Sequence, residues 1–265
     1  MYEFNYHRPA SLDEAKQILA ANAEAKIIAG GMTLLPTMKL RLAQPSDLVD
    51  LSAIDGLDAI SDTGSAVDIG AMATHADVAR SEVVRTAIPA LADLADAIGD
   101  AQVRNRGTLG GSIANSDPAA DYPAAVLGLN ATIRTDKREI AADDYFLGMF
   151  ETALADDELV VAVSFPKPKK AAYAKFHNPA SRYAIVGVMV AEMDSGVRVA
   201  VTGAAGCAFR ATEFEAALSQ SFSADALDQV SIDADGLNSD LHASAEYRAH
   251  LVRVMAVRAV KALGG

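Results

Sequence analysis

Apolar residues recur at helical spacing in three stretches of the chain, namely residues 11–22, 88–99 and 245–263. A spacing of three and four positions places such residues on one face of a helix, so each stretch is predicted to be helical. The first stretch begins with Ser11, and Glu14 follows three positions later. A serine followed three positions later by a glutamate is the pattern of a capping box, which marks the start of a helix.

Short apolar runs bounded by turn-forming residues predict strands between the helices. These runs occupy residues 25–29, 47–52, 57–61, 66–72, 130–135, 158–166, 173–177, 183–193 and 197–206. The turn at residues 62–65 joins two runs into a predicted hairpin, and the last three runs are predicted to pair as antiparallel strands. Residues 1–55 are predicted to form a small α/β unit. Residues 166–171, rich in proline and lysine, are the best candidate for a linker.

The composition and net charge of the chain argue against several classes of function. The chain has 265 residues, a net charge of −12 and one cysteine, Cys207. A protein that binds nucleic acid needs a basic face for the phosphates, so the acidic charge argues against that class. One cysteine excludes an intrachain disulfide and a locally held iron–sulfur cluster, and Cys207 is predicted to be a small buried residue. No apolar run is long enough for a transmembrane segment, and the N-terminus lacks a signal core, so a cytoplasmic location is the default expectation.

Two double glycines, Gly30–Gly31 and Gly110–Gly111, are the most informative local feature. Adjacent glycines allow positive φ angles and close approach to a ligand, and consecutive N–H groups in such a turn can bind an anion. Thr33, Thr108 and Ser112 place hydroxyl groups beside them. Taken singly, each pair is more simply a tight turn; taken together, they predict two loops that hold the two phosphates of a diphosphate. Neither the G-x-G-x-x-G fingerprint nor the G-K-[ST] of a P-loop is present.

The other polar candidates have simpler explanations. The five histidines show no metal-ligand spacing and are predicted to be ordinary surface or core residues, although His75, at the start of a predicted helix, could face a cleft. Asp117 precedes Pro118 and is predicted to be a helix N-cap with proline at the first helical position. By periodicity, Asp121 is predicted to be a solvated carboxylate on the same helix. The residues alone therefore indicate a nucleotide-binding protein of mixed helices and strands.

Two stretches together carry a family resemblance. The sequences AGGMTLLPTMKLRLAQP and QVRNRGTLGGSIANSDPAADYPAAVL resemble the FAD-binding medium subunit of the molybdenum hydroxylases, which include aerobic carbon monoxide dehydrogenase, xanthine dehydrogenase and related aldehyde or N-heterocycle dehydrogenases. The resemblance covers essentially the whole chain. It implies an α+β fold: a two-part FAD-binding fold of the vanillyl-alcohol oxidase and p-cresol methylhydroxylase type at residues 1–55 and 56–168, followed by a small α+β C-terminal domain at residues 169–265.

The resemblance also implies which residues contact FAD. The cofactor-binding positions are Lys26, Ala29, Gly30, Gly31, Met32, Thr33, Leu34, Ile98, Thr108, Gly110, Gly111, Ser112, Asp121, Val160 and Lys175. Asp121 would contact the flavin side of the cofactor, which reverses its solvated interpretation. Lys175 and Tyr183 match catalytic positions near the isoalloxazine ring; the alternative for Tyr183 is a strand aromatic packed in the core. Relatives more often carry histidine, glutamine or asparagine at Met32, so a side-chain contact there is an open question.

The function that the resemblance implies is electron transfer within a complex. A large molybdopterin subunit would oxidise the substrate, a small subunit with two [2Fe–2S] clusters would pass the electrons on, and FAD in this chain would deliver them to an external acceptor. This chain is expected to bind no metal itself, and the expected assembly is a dimer of heterotrimers, a heterohexamer. The alternatives are a stand-alone FAD-dependent oxidase or reductase of the same fold and a non-catalytic nucleotide-sensing module.

Overall fold

The N-terminal part of the chain forms a three-stranded parallel sheet in the computed structural model, which describes residues 1–265. Its strands are β1 (Asn5–His7), β2 (Ala25–Ile28) and β3 (Asp47–Asp50), in the order β1-β3-β2. Helix α1 (Leu12–Ala21) joins the first two strands and helix α2 (Leu34–Lys39) joins the second and third. Parallel strands need such crossover connections. The sequence predicted α1, β2 and β3 of this unit, but not β1 or α2.

Helix α1 begins where the sequence predicts. The hydroxyl of Ser11 accepts the backbone N–H of Glu14 at 3.2 Å, but the Glu14 carboxylate accepts the N–H of Ala10 at 2.8 Å instead of that of Ser11. The two bonds still satisfy two free N–H groups at the helix start, as a capping box does. The predicted apolar face of the helix packs, through Ala15 and Ile18, into a small core above this sheet.

The middle part of the chain forms a five-stranded antiparallel sheet flanked by helices. The sheet order is β4-β5-β10-β6-β7, with β4 (Ile60–Asp62), β5 (Ala66–Gly70), β6 (Thr132–Thr135), β7 (Glu139–Ala141) and β10 (Val160–Pro166), and β8 (Phe146–Gly148) pairs separately with β9 (Glu151–Thr152). The helices are α3 (His75–Arg80), α4 (Glu82–Ala87), α5 (Pro89–Asp96), α6 (Ala101–Arg104), α7 (Leu109–Asn115) and α8 (Tyr122–Gly128). The predicted hairpin at residues 57–72 and the helix within 88–99 are confirmed.

One helix start in this part was predicted wrongly. Residues 117–120 form a turn, in which the Asp117 carboxylate accepts the N–H of Ala119 at 2.9 Å, and helix α8 begins only at Tyr122. The proline near the start of α8 is Pro123, not Pro118. Aspartate before proline fits a turn as well as a helix start, because its side chain can bond the backbone N–H two residues later in either case.

The C-terminal part is a four-stranded antiparallel sheet covered by two helices. Its strands are β11 (Lys170–His177), β12 (Ala184–Met193), β13 (Gly196–Thr202) and β14 (Phe209–Arg210), in sequential order, and its helices are α9 (Thr212–Gln220) and α10 (Ala245–Ala262). The antiparallel pairing predicted for these strands is confirmed. Met189 and Ala191 of β12 and Ala200 of β13 are buried in the main core of the middle part, whereas the other face of the sheet packs against α10. The two parts therefore share one core.

Glu158, which precedes β10, is held by a set of hydrogen bonds that should make stability depend on pH. Its side chain is only 1% exposed and accepts bonds from Arg138 at 2.9 and 3.0 Å, from the Thr135 hydroxyl at 2.7 Å and from the N–H of Ala155 at 3.0 Å. Arg138 is the main cause that lowers the pKa of Glu158 to about 2.

We expect part of the acid unfolding of this chain to come from Glu158. A carboxyl group with a lowered pKa in the folded state contributes stability above its unfolded pKa, near 4.5, and that contribution is lost as the pH falls towards 2. Urea unfolding of Glu158→Gln between pH 7 and 3 should therefore show lower stability at neutral pH and a shallower fall below pH 4.5 than the unmodified chain. Glu139→Gln, at an exposed position of β7, is the control; equal pH slopes for Glu158→Gln and the unmodified chain would contradict the prediction.

Candidate functional site

A cleft of about 750 Å³ is lined by residues from all three parts of the chain. Its lining includes every cofactor-binding position implied by the resemblance except Lys175: Lys26, Ala29, Gly30, Gly31, Met32, Thr33, Leu34, Ile98, Thr108, Gly110, Gly111, Ser112, Asp121 and Val160. These implied positions, which span 134 residues of the sequence from Lys26 to Val160, therefore meet at one concave surface. A cleft of this size, with apolar walls and a few polar groups, is typical of a cofactor site.

The two glycine-containing loops are in direct contact at this cleft. A Cβ atom on Gly30 would lie 2.0 Å from the carbonyl oxygen of Arg106 and 2.7 Å from the Cα of Gly107. A Cβ atom on Gly111 would lie 3.2 Å from the Cβ of Ala29. Contacts below 3.0 Å are not tolerated between carbon and backbone atoms, so only glycine at position 30 allows the loops to approach this closely.

The first loop presents a series of unused donors. The N–H groups of residues 30–34 have no hydrogen-bond acceptor within the chain, and Thr33, at the start of α2, makes no side-chain cap. Gly31 has a φ angle of 69°, in the left-handed region that favours glycine. Successive backbone N–H groups around a left-handed residue form a nest, a concave arrangement of donors that binds anions. The prediction of an anion-binding turn fits the geometry of this loop.

The second glycine pair has a different role from the one predicted. Gly110 and Gly111 lie in the first turn of helix α7 and have no positive φ angle, and their N–H groups already donate to the carbonyl of Ala71 at 2.8 Å and to the Thr108 hydroxyl at 3.0 Å. The prediction of a second nest is therefore wrong. Glycine is needed at position 110 for packing, because a Cβ atom there would lie 2.5 Å from the Cβ of Ala71. Ser112 keeps a free hydroxyl on the cleft wall.

Asp121 lies at one side of the cleft and belongs to a buried polar cluster. It is 4% exposed, so the solvated position predicted from periodicity is wrong. Its carboxylate accepts bonds from the Tyr173 hydroxyl at 2.6 Å and the Lys175 ammonium at 2.9 Å, and Lys175 also donates to the carbonyl of Ala97 at 3.2 Å. Burial raises the pKa of Asp121, and the charge of Lys175 is the largest opposing effect.

Lys175 differs from the other implied positions because it does not line the cleft. Its side chain is buried against Asp121, and of the two residues only Asp121 is part of the cleft lining. The role of Tyr173 was not assigned from the sequence. Tyr173 and Lys175 are two positions apart in β11 and so point to the same face of the sheet, which is the signal that would have identified the tyrosine.

Tyr183 lies at the cleft in a loop rather than in the core. It is 46% exposed and precedes β12, so the alternative of a packed strand aromatic is wrong. Ser181 and Arg182 of the same loop also line the cleft. Asn178 fixes this loop, because its side-chain oxygen accepts the N–H groups of Ala180 and Ser181 at 2.9 and 3.1 Å.

Phe150 is a lining residue that the sequence did not indicate. It lies in the turn between β8 and β9 with a φ angle of 56°, and its N–H donates to the carbonyl of Ser116 at 3.0 Å. No local sequence signal distinguishes it from any other turn residue. Elsewhere in the chain, no group of three or more His, Cys, Asp and Glu side chains is arranged to hold a metal ion. None of the helices combines the length and apolar character that crossing a membrane requires.

The donors, walls and charges of the cleft fit a dinucleotide cofactor. The nest at residues 30–34 suits a diphosphate, because backbone N–H groups can bind its negatively charged oxygens without positive side chains. Ile98 and Val160 give apolar wall area suited to flat rings, and Asp121 adds a polar residue to the lining. These groups come from separate parts of the chain that meet only in the folded protein.

Comparisons with known proteins agree with this fit. Residues 2–168 match the family model described as "FAD binding domain in molybdopterin dehydrogenase", and residues 171–263 match "CO dehydrogenase flavoprotein C-terminal domain". The nicotine 6-hydroxylase medium subunit of Paenarthrobacter nicotinovorans is 37% identical, covering 98% of this chain and 96% of that protein. The carbon monoxide dehydrogenase medium chain of Hydrogenophaga pseudoflava is 35% identical over the same shares of the two chains.

Solved structures give the same result. A chain of reconstituted CO dehydrogenase from Oligotropha carboxidovorans superposes with a TM-score of 0.91 at 33% identity, covering 98% of this chain and 97% of that one. A chain of quinoline 2-oxidoreductase from Pseudomonas putida 86 superposes with a TM-score of 0.89 at 31% identity, covering 98% and 96%. In both comparisons the likeness therefore extends over nearly the whole chain.

Proposed function

This chain belongs to the FAD-binding medium subunits of the carbon monoxide dehydrogenase-type molybdenum hydroxylases, and we propose from this membership how its cleft holds the cofactor and what the chain does with it. The N–H groups of residues 30–34 bind the diphosphate of FAD. Thr108 and Ser112 add hydroxyl donors from the second loop. Ile98 and Val160 pack on the rings of the cofactor.

The observation that carries this proposal is the unused donor series of the first loop. The start of a helix leaves N–H groups without an intrahelical acceptor, and side-chain caps, water or ligands satisfy them. In this loop Thr33 makes no side-chain cap, so the donors are available to a ligand. Here they lie in a cleft, and Gly30 brings them against the second loop. A bound diphosphate would satisfy them.

In the proposed flavin half of the site, Asp121 and Tyr183 face the ring system. Asp121 reaches the cleft directly, and Lys175 acts on the ring through Asp121 and through its own charge. FAD supplies the redox chemistry when bound, because it can accept electrons from a one-electron carrier and deliver them to an external acceptor. The residues of this chain hold and orient the cofactor and set the electrostatic field at its ring.

The proposed partners are a small [2Fe–2S] subunit and a large molybdopterin subunit, assembled with this chain as a dimer of heterotrimers. The names of the relatives support this, since they are medium chains or medium subunits of enzymes. We also propose a division at residues 1–55, 56–168 and 169–265, in line with the separate sheets of the three parts, and a cytoplasmic location, in line with the lone Cys207.

The test is to purify this chain alone and together with its partner subunits and to record the flavin absorption spectrum. We expect both preparations to contain FAD after incubation with the cofactor. Substrate, supplied as carbon monoxide or as an N-heterocycle, should bleach the flavin band only when the partner subunits are present. Bleaching of the isolated chain would favour a stand-alone oxidase or reductase, and a chain that takes up no FAD in either state would contradict the proposal.

A further inference from the structure

His75 lines the cleft, and its side chain has no hydrogen-bond partner within the chain. It is the first residue of α3, directly after the N-cap Thr74, which forms a capping box with Asp77, and it is 5% exposed. Its backbone N–H donates to the carbonyl of Gly107 at 2.9 Å, and its ring lies 5.3 Å from the ring of Tyr122. The part of His75 that is not enclosed by protein lines the cleft.

Neither ring nitrogen of His75 makes a hydrogen bond within the chain. Nδ1 is completely enclosed and Nε2 is not, and His75 is among the residues that line the cleft. Burial, with a smaller effect from the charge of Arg104, lowers the pKa of His75 to about 4, so the imidazole is neutral near pH 7. A neutral imidazole has one N–H donor and one lone pair, and their positions depend on the tautomer.

The enclosure of Nδ1 decides which tautomer is favoured. An enclosed N–H without an acceptor is rarer in proteins than an acceptor whose lone pair is unused. The proton of His75 is therefore placed on Nε2, the ring nitrogen that is not completely enclosed. This makes His75 an uncharged donor directed at whatever the cleft holds.

The ring is also close to the proposed diphosphate site. A Cβ atom on Gly107 would lie 2.5 Å from Nε2 of His75, and Gly107 is in turn the residue whose Cα lies 2.7 Å from a Cβ atom on Gly30. His75, Gly107 and Gly30 are thus stacked in that order. The imidazole therefore contacts the second loop at Gly107, the residue that the first loop approaches through Gly30.

We infer that His75 is a further cofactor-contacting residue, whose Nε2–H donates a hydrogen bond to an oxygen of the bound diphosphate. The inference rests on the proposed function, because it takes the cleft to hold FAD. It accounts for a buried polar side chain in the fold that otherwise has no partner. It also explains why a histidine with no metal-ligand spacing is found beside two glycine-containing loops.

The experiment compares His75→Leu, which removes the donor, with His75→Gln, which retains an N–H donor. Titration of each full-length variant with FAD and with ADP, which shares the diphosphate, should give dissociation constants about tenfold to a hundredfold higher for His75→Leu than for the unmodified chain. His75→Gln should stay within about threefold of the unmodified chain. Thermal unfolding of the cofactor-free His75→Leu variant should be unchanged or shifted upward, because an unsatisfied buried polar group is removed.

The outcomes separate this inference from the proposed function. If the unmodified chain binds neither FAD nor ADP, the proposed function fails. If it binds them and His75→Leu binds both equally tightly, only the role of His75 is overturned. Nitrogen NMR of the histidine rings in the unmodified chain gives a second test that needs no variant: we expect the Nε2–H tautomer for His75 and a shift of its Nε2–H resonance on addition of ADP, and the Nδ1–H tautomer would overturn the inference.

Discussion

Replacing Gly30 by alanine should weaken FAD binding about a hundredfold. The added methyl group would lie 2.0 Å from the Arg106 carbonyl oxygen and 2.7 Å from the Cα of Gly107, and both are backbone atoms that cannot turn away as a flexible side chain does. The two loops must therefore separate, which moves the donors of residues 30–34 out of position. Overpacking of this kind costs about 3 kcal/mol, so we expect FAD to bind about a hundredfold more weakly and the chain to unfold at a lower temperature.

Gly206→Ala is the matched control for this substitution. A Cβ atom at Gly206 would meet nothing within 4 Å, and Gly206 has no positive φ angle. The control should therefore keep both its FAD affinity, measured by flavin fluorescence titration, and its unfolding temperature. Wild-type affinity in Gly30→Ala would show that the close contact between the loops is not needed for the cofactor.

Lys175→Ala should destabilise the folded chain strongly and change the properties of the bound flavin. Its removal leaves the buried carboxylate of Asp121 with the Tyr173 hydroxyl as its remaining side-chain donor. Breaking a buried ion pair by removing one partner costs about 3–5 kcal/mol, because an uncompensated charge remains. Without the positive charge at position 175, negative charge on the reduced flavin is also less stabilised, so we expect slower flavin reduction or a lower midpoint potential.

The pH dependence of the stability of Lys175→Ala follows from the carboxyl group of Asp121. Burial already raises the pKa of Asp121, and removing Lys175 removes the largest opposing effect. A carboxyl group whose pKa is raised in the folded state contributes stability at low pH that is lost as the pH rises through that pKa. Urea unfolding should therefore show a smaller difference between Lys175→Ala and the unmodified chain at pH 5 than at pH 8.

A double variant separates the two roles of Lys175. Asp121→Asn combined with Lys175→Met removes both charges, keeps an acceptor for Tyr173, and should recover most of the stability lost in Lys175→Ala. The midpoint potential of the flavin, measured by spectroelectrochemistry, then reports the electrostatic role alone. An unchanged potential in Lys175→Ala would remove that role, and equal stability of all three proteins would show that the ion pair contributes nothing to folding.

Local sequence signals predicted most of the elements of this fold. The apolar stripe after Ser11, the hairpin around residues 62–65 and the antiparallel strands after residue 170 all appear in the structure, because each depends on residues that are close together in the chain. The helix at His75 also begins as its capping residues require. Such signals describe how a segment satisfies its own backbone and which face it buries.

The positions of the misassigned residues are decided by contacts with residues that are distant in the sequence. Asp121 occupies a position typical of an exposed helix, yet Tyr173 and Lys175, more than 50 residues later, bury it. The pair Gly110–Gly111 has the sequence pattern of a nest, but glycine is needed at position 110 because Ala71 packs directly against it. Neither partner can be identified from the spacing around the residue concerned. The family resemblance placed Asp121 at the cofactor because it carries information on the assembled fold that local patterns lack.

The shared core of the middle and C-terminal parts limits how the chain can be divided or recombined. Met189 and Ala200 fill space beside Gly128, where even a Cβ atom would come within 2.6 Å of Met189, so the C-terminal sheet completes an interior rather than adding a separate module. A chimaera that joins the FAD-binding region of one relative to the C-terminal part of another must match the shapes on both sides of this boundary. Exchanges made at residue 168 without compensating changes at these positions should yield insoluble or cofactor-free protein.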